Sequence, residues 1–330
     1  MQPTLHVHIL KSPQTDFIDF LQQKLDPNII VSLGDMVENT KDTSILVAGH
    51  PTRELLASLP NLKALIIPWA GVAPETLDLM RDFPMVSIHN LHHNALPVAE
   101  YALALLLSAA NTIVPVDQAL RANDWHPRYT HTPSTLVSGK TALILGYGHI
   151  GRALAKLLSG FNMTILATRN SIESPVIEDS VQIFPSNYLH KLLPKSDFLI
   201  VTLPLTPFTK ELIGEKELAL LPDHAVVVNI GRGDIIDQAA LYKALNERSI
   251  LAAGIDVWYN YPKKDDDQPN TPPADYPFHK LDNIVMSPHR AGSLNQNDIE
   301  ILRMTHLAEL LNQAARGNPI PNRVDPIKGY

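Results

Sequence analysis

The chain contains no cysteine, which excludes disulfides, thiol nucleophiles and thiolate metal sites but fits either redox compartment. Lysine and arginine never form a run longer than two, and the net charge is −7. A nucleic-acid partner would need a basic stripe, so none is expected. No stretch approaches the ~18 consecutive apolar residues of a membrane span. The opening MQPTLHVHIL lacks the basic segment followed by a long apolar one that marks a leader. The expectation is a cytoplasmic protein with no membrane partner. Low-complexity tracts are also missing, and only PKKDDDQPNTPPADYP, residues 262–277, reads as an irregular surface loop. What remains is 330 residues, 45% hydrophobic, enough for two cores of ordinary globular composition.

Short apolar runs alternate with helical patterns. HVHIL, SILVAGH, LKALIIPW and MVSIHN look like buried strands, separated by DFIDFLQQKL, PTRELLASL and PETLDLMRDF with apolar residues at helical spacing. This first βαβ layer covers residues 1–98. A long apolar helix, VAEYALALLLSAANTIVPVDQAL, then reads as a packed connector. A second series of strands follows: TALILGYG, MTILATRN, SDFLIVTLP, AVVVNIGRG, LAAGIDVW and NIVMSPH. Alternation of this kind predicts parallel sheets covered on both faces. The last helix, NDIEILRMTHLAELLNQAARG, stops at Gly317 and Pro319 and is free to pack back on the first layer.

Gly146, Gly148 and Gly151 form GxGxxG directly between the apolar run TALIL and the helical ALAKLLSG. The first glycine permits a tight turn, the second lets backbone approach a pyrophosphate, and the third allows helix and strand to pack closely. Amides at His149 and Ile150 would open the helix toward the phosphates. One strand later an acid normally receives the ribose hydroxyls of NAD, whereas a nearby Arg accommodates the 2′-phosphate of NADP. Between Thr168 and Ile172 there is no acid; Arg169 offers a planar fork, with Asn170 and Ser171 as neutral donors. The expected cofactor is therefore NADP(H) in preference to NAD(H).

Three further stretches share a setting. NIGRGDIID places Arg232 on the turn after a buried strand, where its guanidinium could fork a carboxylate. MSPHRAG places His289 in the equivalent position after a later strand, with Pro288 fixing its approach. LPLTPFTKELIG puts Pro204 and Pro207 in a rigid loop after another. Strand ends on one edge of a parallel sheet converge on a ligand crevice, so cofactor, anion-binding Arg and titratable His could meet there.

These stretches, VAEYALALLL, GYGHIG, LPLTPFTKELIG, NIGRGDIID, GIDVW and SPHRAG in that order, make the chain resemble the D-isomer-specific 2-hydroxyacid dehydrogenases, the glyoxylate/hydroxypyruvate reductases among them. The resemblance covers nearly the whole chain. It implies an α/β fold of two Rossmann/flavodoxin-like parallel-sheet domains with a cleft between them: a discontinuous substrate domain, 1–98 plus 293–330, and a nucleotide domain, 99–292. It further implies that Arg232 binds the substrate carboxylate, helped by amides around Ala70, Gly71 and Val72, that His289 is the acid/base, and that Asp256 sits near the nicotinamide carboxamide. Leu203, Pro204, Ile230 and Gly231 would line the cofactor with Thr168. A homodimer acting on a small 2-keto or 2-hydroxy acid is the family expectation. Family members pair the His with a Glu in a DVFExEP-like segment; here the segment reads DVWYNYP, and Tyr261 holds the acid's place.

Other residues invite weaker readings. His6 and His8 share a strand face without a carboxylate beside them, so packing rather than a metal site is expected. His92 or His93 would line the substrate pocket by the same resemblance, or else belong to a solvated loop. The acids Asp265 to Asp267 read as a solvated tip, one of which could fold back on His289. Trp258 and Tyr259 remain open as pocket wall or dimer contact. Two alternatives to a keto-acid reductase follow from the family's breadth. One is hydride abstraction without full acid/base catalysis, as in formate dehydrogenases, which pair the His with a neutral side chain. The other is a nucleotide-sensing binding protein like the related corepressors.

Overall fold

The computed structural model describes residues 4–11, 13–293 and 295–327. Its strands run in chain order β1 (Leu5–Ile9), β2 (Ile29–Leu33), β3 (Ile45–Val47), β4 (Ala64–Ile67), β5 (Ser87–Asn90), β6 (Thr141–Leu145), β7 (Thr164–Thr168), β8 (Val176–Glu178), β9 (Val181–Phe184), β10 (Phe198–Val201), β11 (Val226–Asn229), β12 (Ala252–Ile255), β13 (Ile284–Met286) and β14 (Arg323–Val324). The chain divides into two compact units, Met1–Asn94 with Ser293–Tyr330, and Ala95–Gly292.

The first unit carries a six-stranded sheet in the order β14-β5-β4-β3-β1-β2. All its pairings are parallel except the short β14 edge, which runs antiparallel to β5. Side chains alternate between faces, as a pleated strand requires. Val7, Ile9, Ile45, Val47 and Ile66 meet Leu307 and Leu311 of the helix Gln296–Ala315 on one side. Leu46, Leu65 and Ile67 meet Leu56 and Met80 on the other. β2 was not among the expected strands. Its residues are only half-buried or exposed, so it lacks the continuous apolar run of its neighbours.

In the second unit an eight-stranded sheet runs β13-β12-β11-β10-β6-β7-β9-β8, parallel except for the β8–β9 hairpin. Two apolar layers sandwich it. Ala142, Ile144, Phe198, Ile200, Val226 and Val228 face one layer, and Leu143, Leu145, Leu199, Val201 and Val227 face the other. Each fully buried Val, Leu, Ile or Phe side chain among them contributes roughly 1.5–3 kcal/mol.

The expected single connector helix is two helices, Ala95–Ala110 and Ile113–Arg121, bent by 67°. Pro115 is the physical reason. A helix continued through it would lose an N–H and set the ring against the carbonyl of Asn111, whereas the first turn of a new helix tolerates it. Thr112 makes the break in a left-handed conformation, φ 51°. The helix Ala95–Ala110 packs closely on the sheet at Gly254 of β12, where an added Cβ would lie 2.9 Å from Leu105 Cβ. No single helix among the described residues is long and apolar enough to cross a membrane.

Candidate active site

The register of the second sheet brings the motifs to one edge. Leu145 is paired with Thr168 and Val201, Val201 with Asn229, Asn229 with Ile255, and Ile255 with Met286. Six strands therefore end level. The residues that follow are Gly146, Arg169, Thr202, Ile230, Asp256 and Ser287. Chain order reverses between β6 and β10, the switch point where open parallel sheets take their ligands.

At that point the three glycines have distinct surroundings. Gly146 has φ 102°, a conformation L side chains rarely adopt. A Cβ on Gly151 would lie 2.2 Å from the Gly146 carbonyl oxygen, so the helix His149–Ser159 rests directly on the turn. A Cβ on Gly148 would meet nothing within 4 Å. Gly148 is the N-cap and, being glycine, supplies no side-chain cap to the helix that begins at His149. The turn is thus backbone-lined, open in front and at the positive end of a helix, which fits a pyrophosphate.

The end of β7 holds a feature the sequence reading missed. Arg169 is not free. Its Nη1 and Nη2 donate to Glu178 Oε2 and Oε1 at 3.1 and 2.6 Å, and Arg152 Nη1 donates to the same Oε2 at 2.9 Å. The two arginines hold the Glu178 carboxyl below the usual carboxylate range. No acid lies between Thr168 and Ile172, but the β8–β9 hairpin returns one from further along the chain. Asn170 accepts a hydrogen bond from the Ser186 hydroxyl.

The GRG turn is pressed against two other backbones. A Cβ at Gly231 would lie 2.6 Å from the Leu203 carbonyl oxygen, and one at Gly233 would lie 2.3 Å from that of Trp258. Buried Asn229 clasps the turn, accepting from Gly231 N at 3.1 Å and donating to the Arg232 carbonyl at 2.9 Å. Arg232 Nη1 donates to the Gly231 carbonyl at 2.7 Å, while the residue stays solvent-exposed. Its positive charge acts on both His289 and Tyr261.

His289 is held in a left-handed conformation, φ 54°, unusual for any residue but glycine. Asp256 over-determines it. This buried carboxylate accepts from Ser287 Oγ, Arg290 N and Ala291 N at 2.5, 2.7 and 3.0 Å, and the Asp256 carbonyl accepts from His289 N at 2.7 Å. The Tyr261 hydroxyl lies 3.0 Å from His289 Nδ1 and accepts from Trp258 N at 3.0 Å. Burial pushes the His289 pKa below its ordinary value and the Arg232 charge pushes it further, with Asp256 opposing. Burial likewise raises the Tyr261 pKa, so the phenol stays neutral.

Asp265 to Asp267 form an exposed 3-10 turn, and the ring-nitrogen partner of His289 is Tyr261 rather than one of them. Trp258 is a core residue, its indole Nε1 donating to the Ser287 carbonyl at 2.8 Å and its ring packed edge-on to Phe278. The Tyr259 hydroxyl donates to the Ile236 carbonyl at 2.9 Å.

The first unit carries the remaining candidates. Ala70, Gly71 and Val72 form the half-buried loop after β4, where Asn90 Nδ2 donates to the Ala70 carbonyl at 2.6 Å. His93 Nδ1 is buried without a hydrogen-bond partner, and burial together with Arg303 and His306 lowers its pKa to about 4. The backbone N–H of His92 donates to His306 Nδ1 at 3.0 Å. His8 is a packing residue, its two nitrogens engaged by Ser32 Oγ and the Gly34 carbonyl, each at 2.9 Å.

A parallel sheet with a phosphate-type turn at its switch point is the framework of a dinucleotide-binding α/β domain, and His289, Tyr261 and Arg232 stand on the same sheet edge. Residues 103–291 match the family described as "D-isomer specific 2-hydroxyacid dehydrogenase, NAD binding domain", and the chain belongs to that family. It is 31% identical over 304 residues to the glyoxylate reductase of Thermococcus litoralis, covering 88% of this chain and 86% of that one. It is 29% identical over 296 residues to the D-3-phosphoglycerate dehydrogenase of Methanocaldococcus jannaschii, where 88% of this chain spans about half, 53%, of the relative. Among solved structures, a D-isomer specific 2-hydroxyacid dehydrogenase from Xanthobacter autotrophicus Py2 in complex with NADPH and MES is similar with a TM-score of 0.79 at 25% identity, covering all of both chains.

Proposed function

We propose that this protein is an NADP(H)-linked reductase that interconverts a small 2-keto acid and its D-2-hydroxy acid. The observation that carries the proposal is the grouping of Arg232, His289 and Tyr261 on the sheet edge that also bears the glycine turn. The nicotinamide, when bound, supplies the hydride. Gly146, Gly148, Gly151 and the amides of His149 and Ile150 would hold its pyrophosphate, and Thr168, Leu203, Pro204, Ile230, Gly231 and Asp256 would flank the rest. Support for NADP(H) comes from Arg169 at the end of β7 and from the NADPH complex of the similar Xanthobacter enzyme. Ala70, Gly71, Val72 and His93 are assigned to the substrate by resemblance alone.

As the keto carbon is reduced, negative charge develops on its oxygen, and a cation and a proton donor are needed there. Arg232 forks the substrate carboxylate and supplies the charge. Protonated His289 donates from Nε2 while its Nδ1–H bonds to the Tyr261 oxygen, whose second lone pair accepts from Trp258 N. A carboxylate would fix the Nδ1–H tautomer and favour the charged ring. A phenol both donates and accepts, so it orients His289 without charging it.

That neutral partner also favours a second reading, hydride abstraction from a substrate that has no proton to surrender, such as formate. A spectrophotometric panel separates the two: NADPH with glyoxylate, hydroxypyruvate and larger 2-keto acids, and NADP with formate. Turnover of a 2-keto acid is expected; turnover of formate alone, or of nothing, overturns the proposal. For assembly we propose a homodimer. The helix Ile113–Arg121 buries no residue, and Ile113, Leu120, Trp125 and Tyr129 leave an apolar face exposed.

A further inference from the structure

The Arg169–Glu178 contact is built, not incidental. β8 and β9 are joined by two residues, Asp179 and Ser180, both left-handed at φ 48° and 68°, and Glu178 is paired directly with Val181. Two-residue turns of this kind match the strand twist and leave little play. Glu178 is therefore presented at a fixed place on the sheet edge, beside Arg169, whose own backbone N–H bonds to the Phe184 carbonyl of β9 at 2.9 Å.

Two cations converge on that carboxylate from the elements that define the cofactor turn. Arg169 comes from the end of β7, and Arg152 from the first turns of the helix that follows the glycines, with its guanidinium 4.7 Å from the Tyr147 ring centroid. Arg169 meets Glu178 in the fork-to-fork geometry that an arginine also uses for phosphate. Its Nε is buried with no partner, so the hydrogen-bonding capacity of this cation is incompletely met.

We propose that Glu178 is a specificity-determining residue, an internal anion that competes with the 2′-phosphate of NADP(H) for Arg169 and Arg152. This rests on the reading that Arg169 faces the ribose end of the cofactor. A ribose without the phosphate leaves the clamp closed. A 2′-phosphate, with about −1.5 to −2 charge against the single charge of a carboxylate, must draw at least one guanidinium away from Glu178. The site then accepts both cofactors, and Glu178 reduces the margin by which the phosphorylated one is preferred.

The test needs no turnover. Calorimetry on the full chain measures Kd for 2′,5′-ADP and 5′-ADP, which differ only in the 2′-phosphate, with thermal unfolding confirming that each variant is folded. Glu178→Gln and Glu178→Ala should each raise the ratio Kd(5′-ADP)/Kd(2′,5′-ADP) roughly tenfold, the scale of one charge-assisted hydrogen bond. Arg169→Ala should lower the ratio by a similar factor. A ratio that stays or falls in both Glu178 variants overturns the proposal and makes Glu178 a brace for the arginines; the NADP reading then still stands if Arg169→Ala lowers the ratio. A ratio indifferent to Arg169→Ala overturns both.

Discussion

Replacing Tyr261 by Glu restores a charge that the site lacks, and its effect can be worked out from the geometry. Glu is shorter than Tyr, so its carboxylate would stand further from the imidazole than the present 3.0 Å contact. At about 6 Å and an effective dielectric of ~20 the attraction for the imidazolium is about 2.8 kcal/mol, or about two pKa units. Tyr261 is 45% exposed, and solvent screening should reduce this to about one unit. Burial and Arg232 hold His289 below its ordinary value in the present protein. Reduction needs the protonated ring, so kcat/KM for the keto acid should fall as pH rises through that depressed pKa. Tyr261→Glu should move the fall about one unit higher. Oxidation needs the neutral ring and should show the mirror image. Tyr261→Phe adds no charge and should leave the limb nearly in place while lowering kcat, since Nδ1 loses the partner that orients it. A pH profile unmoved in a folded, active Tyr261→Glu enzyme would refute the assignment of His289 as the titrating group beside position 261.

Arg232→Lys keeps the charge and loses the fork. The substrate KM should rise roughly tenfold while the affinity for cofactor fragments measured by calorimetry holds, and an unchanged KM would place the anion site elsewhere. Asp256→Asn leaves one acceptor oxygen where the buried carboxylate has two and sets an amide NH2 against a donor such as the Ala291 N–H. Chemical denaturation should show a loss of about 1–3 kcal/mol. The same variant removes the negative charge that opposes the depression of the His289 pKa, so its reductive limb should move to lower pH. A limb moving upward would contradict the electrostatic account.

The legibility of this chain follows from burial. Strands covered on both faces, such as AVVVN and TALIL, read as unbroken apolar runs, and the motifs after them are level because the register is level. Convergence of Arg232 and His289 on one edge was therefore legible in the sequence. β2 was not, because its residues are only partly buried or exposed. The β8–β9 hairpin escaped for the same reason. VIEDSVQIF carries only a weak turn signal in Asp179–Ser180 and half-exposed flanks, yet it delivers Glu178. The sequence showed an arginine where an acid belongs; only the fold shows that an acid comes back to meet it. Trp258 and Tyr259 stood open between pocket wall and dimer contact because the partners that place them, the carbonyls of Ser287 and Ile236, are distant in sequence.

The central claim is hydride delivery to the 2-carbon of a keto acid with formation of the D-hydroxy acid. NADPH deuterated at the transferring position of the nicotinamide, incubated with the most active keto acid of the panel, tests it directly by mass spectrometry and chiral separation of the product. The account predicts one deuterium at carbon 2 of the D-enantiomer. Product without deuterium at that carbon, or deuterium in the L-enantiomer, would contradict it.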